Sequence, residues 1–467
     1  MLEQSAQFIP KLTFYPFCAI MLASVVYFIN LQNRYLLPED FTMEFKVKYK
    51  ECTYEEFLAL EPMKYAKPKS PNFFLRTLAA ILSASNLKKT HFEYKSVGME
   101  RLGKEEPALF LMNHSCFLDF EIVMKSLWPR KVNIVTGMRG CLGKEQLMRN
   151  LGCIITRKFT TNLTLVKDIK YCLGTLKTSV LMYPEADYSF TGRSHIVPKS
   201  VAQLIKWLGV PFVMIETKGA FNNDPIYCNL GNRYSPVCAE FRYVFSPEDI
   251  DKMSVEEIEA VIKREFSFDN LRWQQENGIV IDHPRRAENL QKILYKCPHC
   301  HSEGQTEGIG NKLVCYSCGK EWELTELGFM KATSGNTEFD HIPDWYEWQR
   351  ECVRAEIEEG KFKIDTPVDV YAAVNTEALY ILGKGRIEYD IDGIHLTAYD
   401  GKLDFYKKSK SMHAIGADLH CQDIGDVTCF GDHRSTYLVL PYEAPYLVVK
   451  ARLASEEIYK LLKKEKQ

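Results

Sequence analysis

The sequence lacks an excess of positive charge, an internal repeat and a low-complexity tract. Its 467 residues include 59 Lys and Arg against 61 Asp and Glu, which gives a net charge of −2. This balance argues against a dedicated nucleic-acid-binding protein with a strongly basic body. Hydrophobic residues make up 46% of the chain, which is too much for a disordered protein and too little for a polytopic transporter. The length suggests about three domains.

The charges are unevenly distributed along the chain. Residues 1–300 carry 39 basic and 32 acidic side chains, whereas residues 301–467 carry 20 and 29. Within residues 101–200 the counts are 15 and 8. A basic middle suits an anionic ligand or a membrane surface, although the surfaces of ordinary proteins also vary by a few charges.

The 15 cysteines are odd in number, and most of them lie in apolar segments. There we expect them to be small buried side chains, as at Cys116, Cys153, Cys172 and Cys238. A secreted chain of this length with so many thiols would risk mispairing. We therefore expect a reducing compartment.

Long uncharged runs are nearly absent, and the exception is Leu12–Ile29, which has 18 residues. That length is near the lower limit for crossing a bilayer. The segment lacks a small-residue cleavage site, so a removed signal peptide is not expected. A buried core helix is the alternative, but the terminal, aromatic-rich position favours a membrane. The amphipathic segment 73–87 would lie in the interface beside it or pack as an ordinary helix. We expect residues 1–89 to be a membrane-associating region, with a strand over the alternating residues 41–50.

Residues 90–294 alternate between short apolar runs and helical periodicity, which predicts an α/β domain with a mixed sheet flanked by helices. Residues 248–294 look helical and charged, as a flank of this domain. The predicted strands are 92–97, 108–112, 132–136, 153–155, 179–183, 212–216 and 238–245. The predicted helices are 117–128, 162–177 and 199–208.

Two C-x2-C pairs separated by 14 residues lie within residues 295–325. This spacing predicts a zinc ribbon in which four thiolates close a tetrahedral, structural Zn²⁺ site. His299 and His301 are further possible ligands, and two redox pairs or free thiols are the alternative. The ribbon lies in the acidic half without a basic stripe, so we expect a structural role or a protein contact rather than nucleic-acid binding. The predicted ligands are Cys297, Cys300, Cys315 and Cys318.

Residues 326–467 are predicted to form a helix followed by a small β-rich accessory domain. The helix covers 343–358, short strands with Gly, Asp and Asn turns recur over 368–450, and a helix over 454–465 ends the chain. A small barrel or sandwich of the pleckstrin-homology or GRAM type is one form that this pattern allows. A protein partner of this domain or of the ribbon cannot be named from the sequence.

The clearest catalytic pattern is the segment 108–119, in which an apolar strand runs directly into Asn113-His114. The carboxyl end of a strand is where sites form in α/β sheets. Asp119, in the first turn of the next helix, could orient the His114 imidazole, which would then act as a general base on a hydroxyl. Taken alone, the pair favours a structural alternative, a loop histidine near an aspartate that the helix dipole stabilises.

This pattern, Asn113-His114-x4-Asp119, resembles the first block of the glycerolipid acyltransferase superfamily, which includes 1-acylglycerol-3-phosphate acyltransferases. Further blocks follow in order. The segment from Gly152 to Arg157 resembles the second block, and 208–215, with its Val-Pro, resembles the fourth. Because the motifs occur in the family's order over residues 90–245, they support one another.

The third block departs from the family pattern Phe-Pro-Glu-Gly-Thr-Arg-Ser. Residues 183–189 read Tyr-Pro-Glu-Ala-Asp-Tyr-Ser, so Pro184 and Glu185 are kept and the Arg is lost. The resemblance implies that Arg157 helps to bind the acceptor's phosphate, and Arg193 and Lys199 lie where they could supply the missing charge. It also implies that Glu185 orients the acceptor or the loop. The substrate-binding residues so predicted are Asn113, Gly152, Arg157, Pro184, Glu185, Arg193 and Lys199.

The resemblance implies transfer of a fatty acyl group from a thioester, acyl-CoA or acyl-carrier protein, to a hydroxyl of a glycerolipid or lysophospholipid in phospholipid synthesis. The acceptor it predicts is 1-acylglycerol-3-phosphate, and the changed third block leaves open a lysolipid or alcohol that differs from lysophosphatidic acid. We expect membrane lipids as partners and no nucleic acid, with the catalytic domain on the cytoplasmic side of a membrane. The alternative is a catalytically silent lipid-binding or scaffold protein on the same fold.

Overall fold

The computed structural model describes residues 47–159, 163–194, 197–412, 414–422 and 424–464. The predicted membrane segment Leu12–Ile29 and most of the predicted strand 41–50 lie outside these ranges. The described chain begins with strand β1 (Tyr49–Glu51), helix α1 (Tyr54–Ala59) and helix α2 (Phe73–Lys89). Among the helices of the described residues, none has the length and apolar character that crossing a bilayer requires.

A seven-stranded sheet follows, with the strand order β2-β8-β7-β3-β6-β4-β5. Its strand pairs are parallel except for β7 and β8, which run antiparallel. The predicted mixed sheet and all seven predicted strands are therefore confirmed. The strands are β2 (Glu93–Val97), β3 (Leu109–Met112), β4 (Val132–Gly137), β5 (Cys153–Thr156), β6 (Ser179–Met182), β7 (Phe212–Lys218) and β8 (Cys238–Phe245).

Helices cover both faces of this sheet, which explains why central strand β3 is apolar and buried throughout. One face packs on α2, α3 and α4, the other on α5, α6 and α9. The expected helical flank over 248–294 is only partly correct, because after α10 residues 277–294 contain no α-helix. The helices are α3 (Leu118–Ser126), α4 (Glu145–Asn150), α5 (Leu163–Tyr171), α6 (Lys199–Leu208), α7 (Ala220–Asn223), α8 (Pro247–Lys252), α9 (Val255–Glu265) and α10 (Asn270–Glu276).

The cysteine-rich segment forms a four-stranded antiparallel sheet in the order β12-β11-β10-β9. Helix α11 (Ile342–Glu358) follows and packs its Trp345 ring edge-on against buried Trp322, at 4.9 Å between the ring centroids. The ribbon thus shares a core with the C-terminal half. Its strands are β9 (Thr306–Ile309), β10 (Lys312–Cys315), β11 (Glu321–Leu324) and β12 (Met330–Ala332).

The C-terminal domain is a sheet in the order β16-β15-β14-β13-β19-β18-β17, and β1 adds to it in parallel beside β14. Helix α12 (Leu447–Lys464) packs on this sheet and on α11. It begins seven residues earlier than predicted, because the apolar run from Leu447 is helical and not a strand. The strands are β13 (Ile364–Ala373), β14 (Leu379–Tyr389), β15 (Gly393–Ala398), β16 (Leu403–Lys408), β17 (Gly416–Cys421), β18 (Gly425–Gly431) and β19 (Thr436–Leu440).

Candidate active site

His114 and Asp119 meet where β3 ends and α3 begins. The His114 Nδ1 lies 3.0 Å from the Asp119 Oδ2. The preceding residue, Asn113, is buried and fixes this turn to β7, since its Oδ1 accepts the Thr217 backbone N–H at 2.7 Å and its Nδ2 donates to the Thr217 carbonyl at 3.0 Å. Asn113 therefore lies in the site and connects the end of β3 to β7 by hydrogen bonds. Thr217 is a residue that sequence reasoning missed.

Asp119 is fully buried and held by several donors. Its Oδ2 accepts the backbone N–H groups of Ser115 at 2.6 Å and Cys116 at 3.2 Å, besides facing His114. A carboxylate so held favours the imidazole tautomer that carries its proton on Nδ1, which leaves Nε2 as the base. Within the described part of the chain, no protein group is hydrogen-bonded to Nε2 of His114. The two nearby amides are committed to Asp119, so oxyanion stabilisation must use other donors.

Two tyrosines of the third block lie against the His114 ring. The Tyr183 ring stacks on it with 3.9 Å between centroids, and the Tyr188 ring lies at 4.3 Å. The loop is also tied to the turn by a 2.8 Å hydrogen bond from the Ser189 backbone N–H to the His114 carbonyl. The His114 side chain keeps 20% of its surface exposed. The departure from the family pattern at Tyr188 was visible in the sequence, but its contact with His114 was not.

Glu185 is buried beside this turn, and its Oε1 accepts a hydrogen bond from the Ser194 hydroxyl at 2.5 Å. Burial raises the pKa of Glu185 to about 8. The carboxyl group is thus mostly protonated at pH 7, which makes it unsuited to act as a second base and suited to hold the loop. Neighbouring Pro184 is buried in the same loop.

Gly152 precedes β5 in a left-handed conformation with a φ of 94°. A Cβ at this position would lie 2.5 Å from the Pro71 side chain. The residue therefore allows a close packing contact beside β5, and its backbone hydrogen bonds join it to Arg149 and to Asn133 and Ile134 of β4.

The structure does not bring the three predicted phosphate-binding cations together. Arg157 donates to the backbone carbonyls of Arg434 and, at 2.7 Å, Val374 in the C-terminal domain. These bonds tie the guanidinium to the C-terminal domain, and its role in binding phosphate stays a prediction.

Arg193 and Lys199 are also held by protein oxygens. Arg193 pairs with Asp269 and Asp344, each at 2.7 Å, and Lys199 pairs with Glu256 at 2.9 Å on the surface. Burial alone would raise the pKa of Asp269, but its hydrogen bonds, first of all with His341, hold that pKa at about 2. These contacts fasten the segment after the third block to α10 and α11.

The four predicted metal ligands converge at one end of the ribbon. Their sulfur atoms all lie within 4.8 Å of one another, and Sγ separations of 3.8 Å are found for two of the pairs, Cys297–Cys318 and Cys300–Cys315. Four sulfurs at the usual Zn–S distance of about 2.3 Å form a tetrahedron with edges of about 3.8 Å. The geometry therefore fits a metal ion.

The two histidines of the ribbon make other contacts. His299 Nδ1 lies 3.2 Å from Glu338, and the His301 ring lies edge-on to Trp348 at 5.5 Å. The four thiols are thus the ligand set that the structure supports.

Comparison with known proteins finds a family match for one part of the chain. Residues 93–216 match the family described as Acyltransferase. The crystal structure of the 1-acyl-sn-glycerophosphate (LPA) acyltransferase, PlsC, from Thermotoga maritima matches with a TM-score of 0.32 at 14% identity, over 41% of this chain and 79% of that chain. No curated protein matches. The family match, which includes the His114 turn and the third block, confirms the predicted resemblance. Residues 93–216 are thus similar to acyltransferase domains.

Proposed function

We propose that the protein transfers a fatty acyl group from an acyl thioester to a hydroxyl of a glycerolipid or lysophospholipid, with His114 as general base. The observation that carries this proposal is the pair formed by His114 and Asp119, with the carboxylate buried and the imidazole still accessible. An aspartate in this arrangement orients the imidazole and stabilises its protonated form.

In the proposed reaction one proton moves from the acceptor hydroxyl to His114 and then to the leaving thiolate. Nε2 of His114 takes the proton of the acceptor hydroxyl as that oxygen forms a bond to the acyl carbon. The carbon–sulfur bond of the thioester then breaks, and the departing thiolate takes the proton from Nε2. No covalent enzyme intermediate is needed, and Glu185, which is mostly protonated at pH 7, holds the loop beside the base.

The decisive experiment is an acyl-transfer assay on purified protein in detergent. Acyl-CoA and acyl-carrier-protein donors are tested against lysolipids and monoacylglycerols, beginning with 1-acylglycerol-3-phosphate, which the sequence resemblance predicts. His114→Ala should abolish transfer. The matched control is His395→Ala, which removes a second His–Asp pair, His395 Nε2 to Asp404 at 2.7 Å, in the C-terminal domain. Absence of transfer to every acceptor, or an active His114→Ala variant, would contradict the proposal.

A lipid-binding protein without catalytic activity is the second candidate. The observation in its favour is the pair of tyrosine rings against His114, together with the use of Arg157 as a link to the C-terminal domain. This candidate predicts saturable lysolipid binding that His114→Ala leaves unchanged, with no transfer from any donor.

We also propose that the protein works at a membrane surface, with its catalytic domain on the cytoplasmic side. Helix α2 supports this proposal, because Phe73, Phe74 and Ile81 are 58%, 80% and 63% exposed on it. Lys88 and Lys89 end the same helix. An exposed apolar face with cations at one end suits an anionic lipid surface. Flotation of the protein with liposomes tests this.

We further propose that the four cysteines hold a structural Zn²⁺ ion. A site closed by four thiolates leaves no open position for substrate, so the ion would stabilise the ribbon. It would do so at a junction where ribbon residue Trp322 and α11 residue Trp345 share a core.

A further inference from the structure

Thr217, at the carboxyl end of β7, contacts both polar residues that hold the His114 turn. Strands β3 and β7 pair in parallel, so their carboxyl ends lie side by side. The Thr217 Oγ1 lies 3.1 Å from the Asn113 Oδ1 and 3.4 Å from the Asp119 Oδ1. All three residues are fully buried, so bulk water cannot replace these contacts.

The two carboxylate oxygens of Asp119 are held differently. Its Oδ2 accepts two backbone N–H groups and faces His114. Its Oδ1 has a single donor among the described residues, the Thr217 hydroxyl. The Asn113 Oδ1 already accepts the Thr217 backbone N–H at 2.7 Å. A hydroxyl hydrogen rotates towards the stronger acceptor, which is the charged carboxylate. The hydroxyl is therefore the group that holds the second oxygen of Asp119.

The position of this second oxygen sets the direction of the first. The terminal torsion of an aspartate is broad, so contacts to both oxygens are needed to define the plane of the carboxylate. That plane determines how Oδ2 faces the Nδ1 of His114 and which nitrogen of the imidazole carries the proton. Without the hydroxyl, a buried carboxylate oxygen would have no donor, which is costly, and Asp119 would turn away from its present position.

We propose that Thr217 is a positioning residue for acyl transfer, whose hydroxyl fixes the plane of the Asp119 carboxylate and through it the tautomer of His114. The kinetic part of this inference rests on the proposed function. Thr217 acts through Asp119, so its effect on the rate is bounded by the effect of losing that carboxylate. The tautomer of His114 can be measured without turnover.

The kinetic test compares Thr217→Val, which removes the hydroxyl, with Thr217→Ser, which keeps it. Thr217→Val should lower kcat by about tenfold to a hundredfold with KM within about twofold, because the base is misplaced while the substrate site is intact. The matched control is Thr178→Val, which removes a buried hydroxyl bonded to Asn133 at 2.6 Å beside β6. Thr178→Val and Thr217→Ser should keep kcat within about threefold of the wild type. The inference is overturned if Thr217→Val stays within that limit, or if Thr217→Ser loses as much as Thr217→Val.

A double variant tests whether Thr217 acts through Asp119. Thr217→Val combined with Asp119→Asn should have the kcat of Asp119→Asn alone, within about twofold, because the carboxylate that the hydroxyl holds is already gone. A general loss of packing would instead lower kcat again by the same factor. Losses that multiply in this way would overturn the inference.

The ring nitrogens of His114 provide a readout that is independent of turnover. In the full chain labelled with ¹⁵N-histidine, the ¹⁵N shifts at a pH where the imidazole is neutral report which nitrogen is protonated, and His114→Ala assigns the signals. The wild type, Thr217→Ser and Thr178→Val should carry the proton on Nδ1, whereas Thr217→Val should show both tautomers.

This readout also separates the inference from the proposed function. If no acceptor is acylated, the proposed function fails and the tautomers alone decide the role of Thr217. An unchanged Nδ1 tautomer in Thr217→Val then overturns the inference. If Thr217→Val does not fold, Thr217→Ser and Thr217→Ala, which differ only in the hydroxyl, decide by the same criteria.

Discussion

Glu185 should make the stability of the folded protein depend on pH, and the substitution Glu185→Gln should remove this dependence. Burial raises the pKa of Glu185 from 4.5 to about 8. Between these values the folded protein holds a proton that the unfolded chain releases. Stability therefore falls as the pH rises through this window. Glutamine keeps an oxygen for the Ser194 hydroxyl and has no proton to lose.

The expected size of this stability difference follows from the shift in the pKa of Glu185. With pKa values of 4.5 and about 8, ionisation opposes folding by about 1 kcal/mol at pH 5 and about 4 kcal/mol at pH 8. The stability of Glu185→Gln relative to the wild type should thus increase by about 3 kcal/mol from pH 5 to pH 8.

Urea unfolding of both proteins at unit pH steps measures this difference, because the other titrating groups cancel in the comparison. Exposed Glu105→Gln is the control and should follow the wild type at every pH. Transfer activity should agree: Glu185→Gln should retain activity at pH 9, where the wild-type loop carries a buried charge. Parallel stability profiles for the wild type and Glu185→Gln would refute the assignment of Glu185 as a neutral, loop-holding acid.

Three further predictions concern the rest of the molecule. Asp119→Asn should lower kcat by about 10²–10⁴-fold without unfolding the protein, because the imidazole loses its orienting carboxylate; circular dichroism checks the fold, and a loss under tenfold would count against the base assignment. Cys297→Ser should reduce bound zinc, measured by elemental analysis, and lower the Tm; a wild-type protein purified reduced and free of zinc would contradict the ribbon proposal. Phe74→Asp with Ile81→Asp should weaken liposome flotation, whereas Val280→Asp with Ile309→Asp, at positions that are 58% and 50% exposed outside α2, should not; equal flotation of all three proteins would argue against α2 as the membrane face.

Local patterns were sufficient to predict the sheet and the turn that holds His114. Central strand β3 is a short apolar run because it is buried on both faces. At the edge of the sheet β2 is polar and exposed, and β8 alternates between buried and partly exposed residues. Helix α6 begins and ends where its periodicity predicts, and the Gly209 after it adopts the left-handed conformation typical of a helix end. The start of α12 was harder to predict from the sequence, because the short apolar run from Leu447 fits a strand as well as a buried helix.

Contacts between distant segments could not be predicted in this way. Arg452 and Asp187 are 265 residues apart in sequence, and nothing in either segment alone indicates the other. The same is true of the carbonyls that hold Arg157. The sequence showed that the third block had changed, but only the fold shows which residues the changed positions contact.

Two ion pairs, one near each end of the third block, join it to the C-terminal half of the chain. They suggest a role for the accessory domains. On one side Arg193 pairs with Asp344 of α11, next to the ribbon, and on the other Asp187 pairs with Arg452 of α12. Buried Phe190, between these two anchors, lies 6.4 Å from Tyr346 and belongs to the same core as the ribbon and the C-terminal sheet. A loop held at both ends by another domain can keep its conformation only while that domain is folded. Metal bound at the ribbon would therefore affect the conformation of this loop, and with it the proposed acyl transfer, through packing and without any contact between the ion and the lipid.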